Sequence, residues 1–217
     1  VRIGLAALLA FFVMPAVTVP PLTSPVGIGV IVARELAIGL ALGLAVQTVM
    51  AGAALGGHLS GSQIGLSYGS IVDPQGGVRN NMTGSLYANL ALFTFLATGG
   101  HHALLRALAA SYEALPIGGG GVDGSLVGSV AQMLGTVFVL GVRLAAPVIV
   151  VLLTVEIGTA LMARVAPSLN LMAVAPPLRI VVGLLAIAAV VPLVAGVVAG
   201  MASSALQVAR HAAEAFR

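Results

Sequence analysis

The sequence has no cysteine, no tryptophan and no lysine among its 217 residues, and only 7% of them are charged. Without cysteine there is no disulfide, and nothing points to the redox state of a compartment. The shortage of charge excludes more. Soluble domains carry about 25% charged residues, whereas this chain is 59% hydrophobic with a mean hydropathy of +1.15. That composition belongs to an integral membrane protein. The basic residues are nine arginines, set against six acids for a net charge of +3. They are scattered along the chain, so its high isoelectric point reflects how few charges there are and not a nucleic-acid surface.

Because polar groups are so scarce, the place where they gather is informative. The stretch His58–Ser85, HLSGSQIGLSYGSIVDPQGGVRNNMTGS, lies between two apolar segments and concentrates serine, asparagine and glutamine around Asp73. At membrane depth, irregular backbone persists only where protein buries it or water reaches it. This polar interruption is therefore expected to line or close a water-accessible path.

The apolar segments around it define an all-α membrane protein of long helices, some kinked, and helical hairpins. Arg2 and the apolar run from Ile3 to Val13 fit either a signal peptide or a membrane helix whose start is missing. No small-residue cleavage site follows, which favours the helix, and prolines from Pro15 to Pro25 end it. Val26–Gly57 is a second apolar segment of 32 residues. As a straight helix it reaches about 48 Å, against about 30 Å of hydrocarbon, so it must tilt, bend or leave the bilayer. Gly39 with Gly43 and Gly52 with Gly56 give it two GxxxG spacings, each a face on which another helix can pack closely. Within it, Arg34 and Glu35 either face a partner or cavity or sit at the interface end, with Arg34 snorkelling.

Leu86–Thr98 and Ala103–Leu115 read as two short helices joined at Gly99-Gly100-His101-His102, a shallow hairpin. The histidine pair has no carboxylate at helical spacing and no HExxH context, so capping of the turn is expected and no metal. Pro116–Ser125, with glycines at 118–121, reads as a loop. In Leu126–Val165, Pro147 is expected to kink or divide the segment into two helices of about 20 residues. Arg143 and Glu156 are 13 residues apart, too far to pair along one helix; Arg34 and Arg179 are the candidate partners. Pro167 and Pro176-Pro177 are expected to bracket a break before a last block, Leu178–Met201, whose continuation through Arg210, His211, Glu214 and Arg217 reads as a helix end emerging into water.

No catalytic constellation stands out. Ser60, Ser62 and His58 are close in sequence but lack the rest of a serine-protease arrangement. Phosphate loops, dinucleotide fingerprints and paired carboxylates are absent, so neither enzymatic activity nor a cofactor is expected. A small-solute transporter built on broken helices is the physical rival, and it would require an internal repeat that the chain does not display.

Four separated motifs, together with their order, carry a family resemblance. ARELAIGLALGL (Ala33–Leu44), GLSYGSIVDPQGG (Gly65–Gly77), TGGHHALLRALAASYEALPIG (Thr98–Gly118) and ALMARVAPSLNLMAVAPPLRIVVGL (Ala160–Leu184) resemble the FliR family of flagellar export-gate proteins, called SctT in virulence injectisomes. The resemblance covers essentially the whole chain as a single export-gate domain. Family members begin with a further hydrophobic segment, so the chain is expected to be incomplete at its N-terminus. By resemblance, one such subunit joins P-type and Q-type subunits (FliP, FliQ) in a helical assembly in the bacterial inner membrane, at the flagellar basal body. FlhB-type switch and FlhA-type export proteins are further expected partners, and unfolded secreted proteins the cargo. The family's loop equivalent to Gly65–Asn81 projects into the channel as a plug. No family role attaches to Glu156 or Arg179.

The resemblance gives the polar interruption a mechanical task. Gly65, Gly69, Gly76 and Gly77 would let a plug move aside, while Ile64, Leu66, Tyr68, Ile71 and Val72 pack it shut. Asp73-Pro74 fixes a turn. Gln63, Gln75, Asn80 and Asn81 hold the closed loop, of which Ser67 is a further member, to its neighbours, or, in the alternative, Asp73 and the glutamines only pin the loop internally.

Overall fold

In a computed structural model, the chain is described at residues 4, 10–11, 25–65, 82–114, 125–166 and 171–214. Five helices run through these residues: α1 Pro25–Ile64, α2 Met82–Ala97, α3 Gly100–Ala114, α4 Ser125–Val165 and α5 Leu171–Glu214. No strand occurs among the described residues. The protein is an all-α membrane protein. Three stretches are long and apolar enough to cross a bilayer, Gly27–Ile64, Ala131–Val165 and Val174–Gly200, with mean hydropathies of 2.0, 2.5 and 2.8.

Two expectations about element boundaries are corrected. Residues 58–64 do not belong to an irregular stretch; they complete α1, which has 40 residues, and residues 82–85 open α2. Polar Ser60 and Ser62 are accommodated on the helix because their hydroxyls donate to the helix's own carbonyls, Ser60 Oγ to Gly56 O at 2.9 Å and Ser62 Oγ to Leu59 O at 2.8 Å. In apolar surroundings such back-bonding satisfies a hydroxyl without leaving the helix. The breaks expected at the prolines are corrected as well. Pro147 does not divide α4, which runs for 41 residues, and Pro176 and Pro177 do not precede the last helix but lie inside α5. An interior proline costs one backbone hydrogen bond and a steric clash, about 3 kcal/mol. On α4 that cost is offset by packing on both sides of it, since Leu144, Ala145, Val148 and Leu152 are all essentially fully buried. Pro176 and Pro177 lie in the second turn of α5 and Pro192 near its middle, all past the first four amides that lack an intrahelical partner, so each removes one backbone hydrogen bond from the helix.

The chain divides into two compact units. One consists of residues 48–98 and 135–201. Its interior combines small and β-branched side chains, Ala53, Ala91, Ala145, Val148, Val194 and Val198, with a few large ones, Tyr87, Leu140 and Leu144, all wholly inaccessible. Large apolar side chains lie outside, with Phe93, Phe138 and Leu185 each about two-thirds exposed (69%, 67% and 65%). A soluble domain does not leave so many large apolar side chains on its surface. In lipid, where apolar side chains gain nothing by hiding, close approach of backbones drives packing and small residues take the interface. The other unit comprises residues 1–47, 99–134 and 202–217, with Ile38, Ala41, Leu42, Ala45, Ala107 and Met133 as its buried side chains.

Between α2 and α3 the chain turns at Thr98 and Gly99, and Gly99 takes a φ of 74°, a left-handed conformation that glycine adopts at no steric cost. The histidines expected in this turn instead occupy the first turn of α3. The His102 amide donates to Gly99 O at 3.0 Å and the two rings lie 4.0 Å apart, tilted by 42°. The proline-rich residues 15–24 and the glycine-rich residues 115–124 lie outside the described residues.

Candidate functional site

The polar interruption starts at the C-terminal end of α1, and the structure shows how that end is held. Ile64 is 1% exposed and packs on Gly183 of α5 so closely that a Cβ at position 183 would lie 2.5 Å from Ile64 Cγ1. Gly65 then terminates the helix with φ 93°, its amide donating to Ser62 O at 3.3 Å. This is the left-handed stop that glycine supplies at many helix ends. Gly65 therefore works here as a fixed cap, and Ile64 packs against a helix of its own chain. Gln63 is part-exposed on the last turn. The remaining candidates for the plug, Leu66, Ser67, Tyr68, Gly69, Ile71, Val72, Asp73, Pro74, Gln75, Gly76, Gly77, Asn80 and Asn81, lie outside the described residues.

Beside this end opens a cleft of about 560 Å³, walled by Ile64, Gly65 and residues of α4 and α5. Its polar wall is an ion pair, the Arg179 guanidinium Nη2 on Glu156 Oε1. Of the two partners that the sequence offered for Glu156, the structure selects Arg179. Glu156 lies nine residues before the end of α4 and Arg179 eight after the start of α5, about 13 and 12 Å from the connection respectively. Equal distances from the connection are what an antiparallel helix pair needs to bring two side chains together. Arg143 is exposed on α4.

Above the cleft, α1 crosses α2 at its tightest contact, which sequence reasoning missed. A Cβ on Gly57 would overlap the Thr83 carbonyl, and one on Gly61 would overlap the Thr83 hydroxyl oxygen. Gly57 and Gly61 are four apart, a third GxxxG spacing. The signal was legible, but it went unread because the apolar segment was ended at Gly57. Beside this crossing, Ser60 and Tyr87 are both wholly buried. The Tyr87 hydroxyl has no hydrogen-bond partner among the described residues.

Of the two GxxxG faces noted in the sequence, one is used inside the chain. A Cβ on Gly52 would meet Leu140 Cδ2 at 2.7 Å, and one on Gly56 would meet Leu144 Cβ at 2.8 Å. Gly39 and Gly43 face open space, with nothing within 4 Å of either Cβ position. Glu35, one turn before Gly39, is part-buried, and its Oε1 is inaccessible and without a hydrogen-bond partner among the described residues. Tyr112 of α3 is close enough that burial, and then the Glu35 charge, raise its hydroxyl pKa above the ordinary value. The side chain of Arg34 lies outside the described residues.

Long apolar helices, small-residue crossings and a few isolated charges define a polytopic helical membrane protein. The family of bacterial export proteins, family 1, matches residues 1–205. The chain belongs to that family. The "Flagellar biosynthetic protein FliR" of Pectobacterium carotovorum is 31% identical over 196 residues, 89% of this chain and 75% of that protein. Its namesake in Escherichia coli K12 is 32% identical over 197 residues, 90% and 75% of the two chains. The "Yop proteins translocation protein T" of Yersinia pestis is 26% identical over 182 residues, 82% and 70%.

Proposed function

We propose that the chain is a non-enzymatic subunit of a type III protein export gate in the bacterial inner membrane, and that it helps form and close the channel for unfolded flagellar proteins. The observation that carries this reading is the match to the export family over residues 1–205. The flagellar reading, in preference to the virulence one, is supported by the two relatives at 31% and 32% identity, both of which carry the flagellar name. P-type and Q-type subunits are the expected neighbours, with FlhB-type and FlhA-type proteins beyond them. Large apolar side chains on the outside of every long helix suit a subunit surrounded by other helices and lipid.

The test is the native mass of the chain extracted in mild detergent after co-expression with P-type and Q-type subunits. One large complex holding a single copy of this chain is expected. A monomer, or a homo-oligomer indifferent to those subunits, would overturn the reading and restore the solute transporter.

Within that reading, the segment between α1 and α2 serves as the plug. The capping of its root at Ile64 and Gly65 supports this reading by holding one end of the segment in place. Deleting Ser67–Asn80 is expected to raise the resting ion conductance of cells carrying the assembled gate and to slow growth. Unchanged conductance in a normally assembled deletion gate counts against the plug.

A further inference from the structure

Along α1, the exposed face from Glu35 to Gln47 forms a shallow groove of about 400 Å³, in which Gly39 and Gly43 leave gaps between Leu36, Leu40 and Leu44. Open glycines alone mean little here, since Gly128, Gly135, Gly158 and Gly196 are equally open. What sets this face apart is Glu35. Its Oε1 is buried and no donor reaches it among the described residues, the Tyr112 hydroxyl included. An unsatisfied carboxylate oxygen in an apolar segment is costly. Glu35 itself lines the groove, so its carboxylate borders whatever occupies it.

We propose that this groove is the seat of an apolar membrane helix from a different protein, one that presents small residues to Gly39 and Gly43 and a cationic side chain to Glu35. Two glycines without obstruction let a second backbone come close, and packing of this kind drives helix association in lipid. The carboxylate decides among occupants. A lipid chain has no hydrogen-bond donor to offer it. A second copy docked symmetrically on the same face brings a second Glu35 into the interface, and neighbouring carboxylates repel. A helix carrying arginine or lysine at that depth supplies both charge and donor. The same chain shows what an occupied face looks like, because the Gly52–Gly56 spacing is filled by Leu140 and Leu144.

The inference rests on the export-gate reading, because the occupant is sought among the other gate subunits. Its test combines disruption with identification. Gly39→Leu with Gly43→Leu fills the groove at positions where nothing lies within 4 Å of an added Cβ, and leucine is the better helix former. In co-expression with P-type and Q-type subunits, this variant is expected to enter the complex about tenfold less than the unaltered chain, equivalent to about 1.4 kcal/mol. Glu35→Leu is expected to lower entry similarly, and Glu35→Gln, which keeps an acceptor, to lower it less. Benzoylphenylalanine in place of Leu40 is expected to crosslink to a P-type or Q-type subunit at a segment bearing arginine or lysine. Normal entry of the double leucine variant overturns the proposal, as does crosslinking only to lipid, to a second copy or within the chain. If the unaltered chain itself fails to enter a complex, the export-gate reading falls instead, so the two failures are separable.

Discussion

Gly57→Ala is expected to destabilise the chain more than any other single added methyl group, by about 3 kcal/mol or more, within the range of severe overpacking. At an ordinary helical site the same change would stabilise by roughly 0.5–1 kcal/mol, because alanine restricts the unfolded backbone. Here the new methyl overlaps the carbonyl of Thr83 and falls 2.8 Å from Gly84 Cα. A backbone cannot rotate out of the way, so α1 and α2 would have to separate and lose the close approach on which packing in lipid depends. Gly61→Ala makes a useful contrast. Its methyl meets mainly the Thr83 hydroxyl, a side-chain group, so Gly61→Ala combined with Thr83→Ala is expected to recover part of the loss, whereas Thr83→Ala should not rescue Gly57→Ala. Gly39→Ala, on open ground, should be neutral or slightly stabilising. Thermal unfolding of the detergent-solubilised chain checks all five variants, and a Gly57→Ala protein as stable as its parent would mean that the two helices do not meet as described.

Much of this architecture was legible from composition. The scarcity of charge gave the membrane class, and glycine punctuation gave the turn at Gly99. What misled was reading proline as a divider. Pro147 sits in a continuous helix because Leu144, Ala145, Val148 and Leu152 on either side of it are buried, and tertiary packing of that kind is invisible in a single sequence. The polar interruption was read too broadly for a related reason. Serine is a weak helix former because it competes for backbone hydrogen bonds, yet Ser60 and Ser62 resolve that competition by bonding within their own helix. Glu35 and Glu156 looked alike in sequence, two acids in apolar segments. One has found Arg179 inside the chain, and the other shows a buried oxygen without a donor among the described residues. Only the position of neighbouring helices separates them.

The Glu156–Arg179 pair is expected to act as a unit, so that losing either charge costs more than losing both. Side-chain exposures of 25% for Arg179 and 47% for Glu156 would make the pair worth little in water, typically 0.2–1 kcal/mol for exposed ions. Both residues, however, lie within long apolar helices, where an unpaired charge faces hydrocarbon and its solvation is poor. Coupling energies measured between membrane helices average about 0.6 and reach about 1.7 kcal/mol; this pair, with both partners ionised, belongs near the upper value. Glu156→Leu and Arg179→Leu are each expected to lower stability by about 2 kcal/mol, because each strands the opposite charge. The double leucine variant should be more stable than either single one, since no charge is left to strand. Exchanging the residues, Glu156→Arg with Arg179→Glu, should restore most of the loss, as both side chains remain level across the antiparallel α4–α5 contact. A double-mutant cycle on the solubilised chain measures the coupling directly. Additive single losses would show that the two charges are solvated separately and that the cleft wall is not held by their attraction. Strong coupling would instead fix α5 to α4 beside Gly183, the residue on which Ile64 packs, and so tie the ion pair to the anchored root of the polar segment.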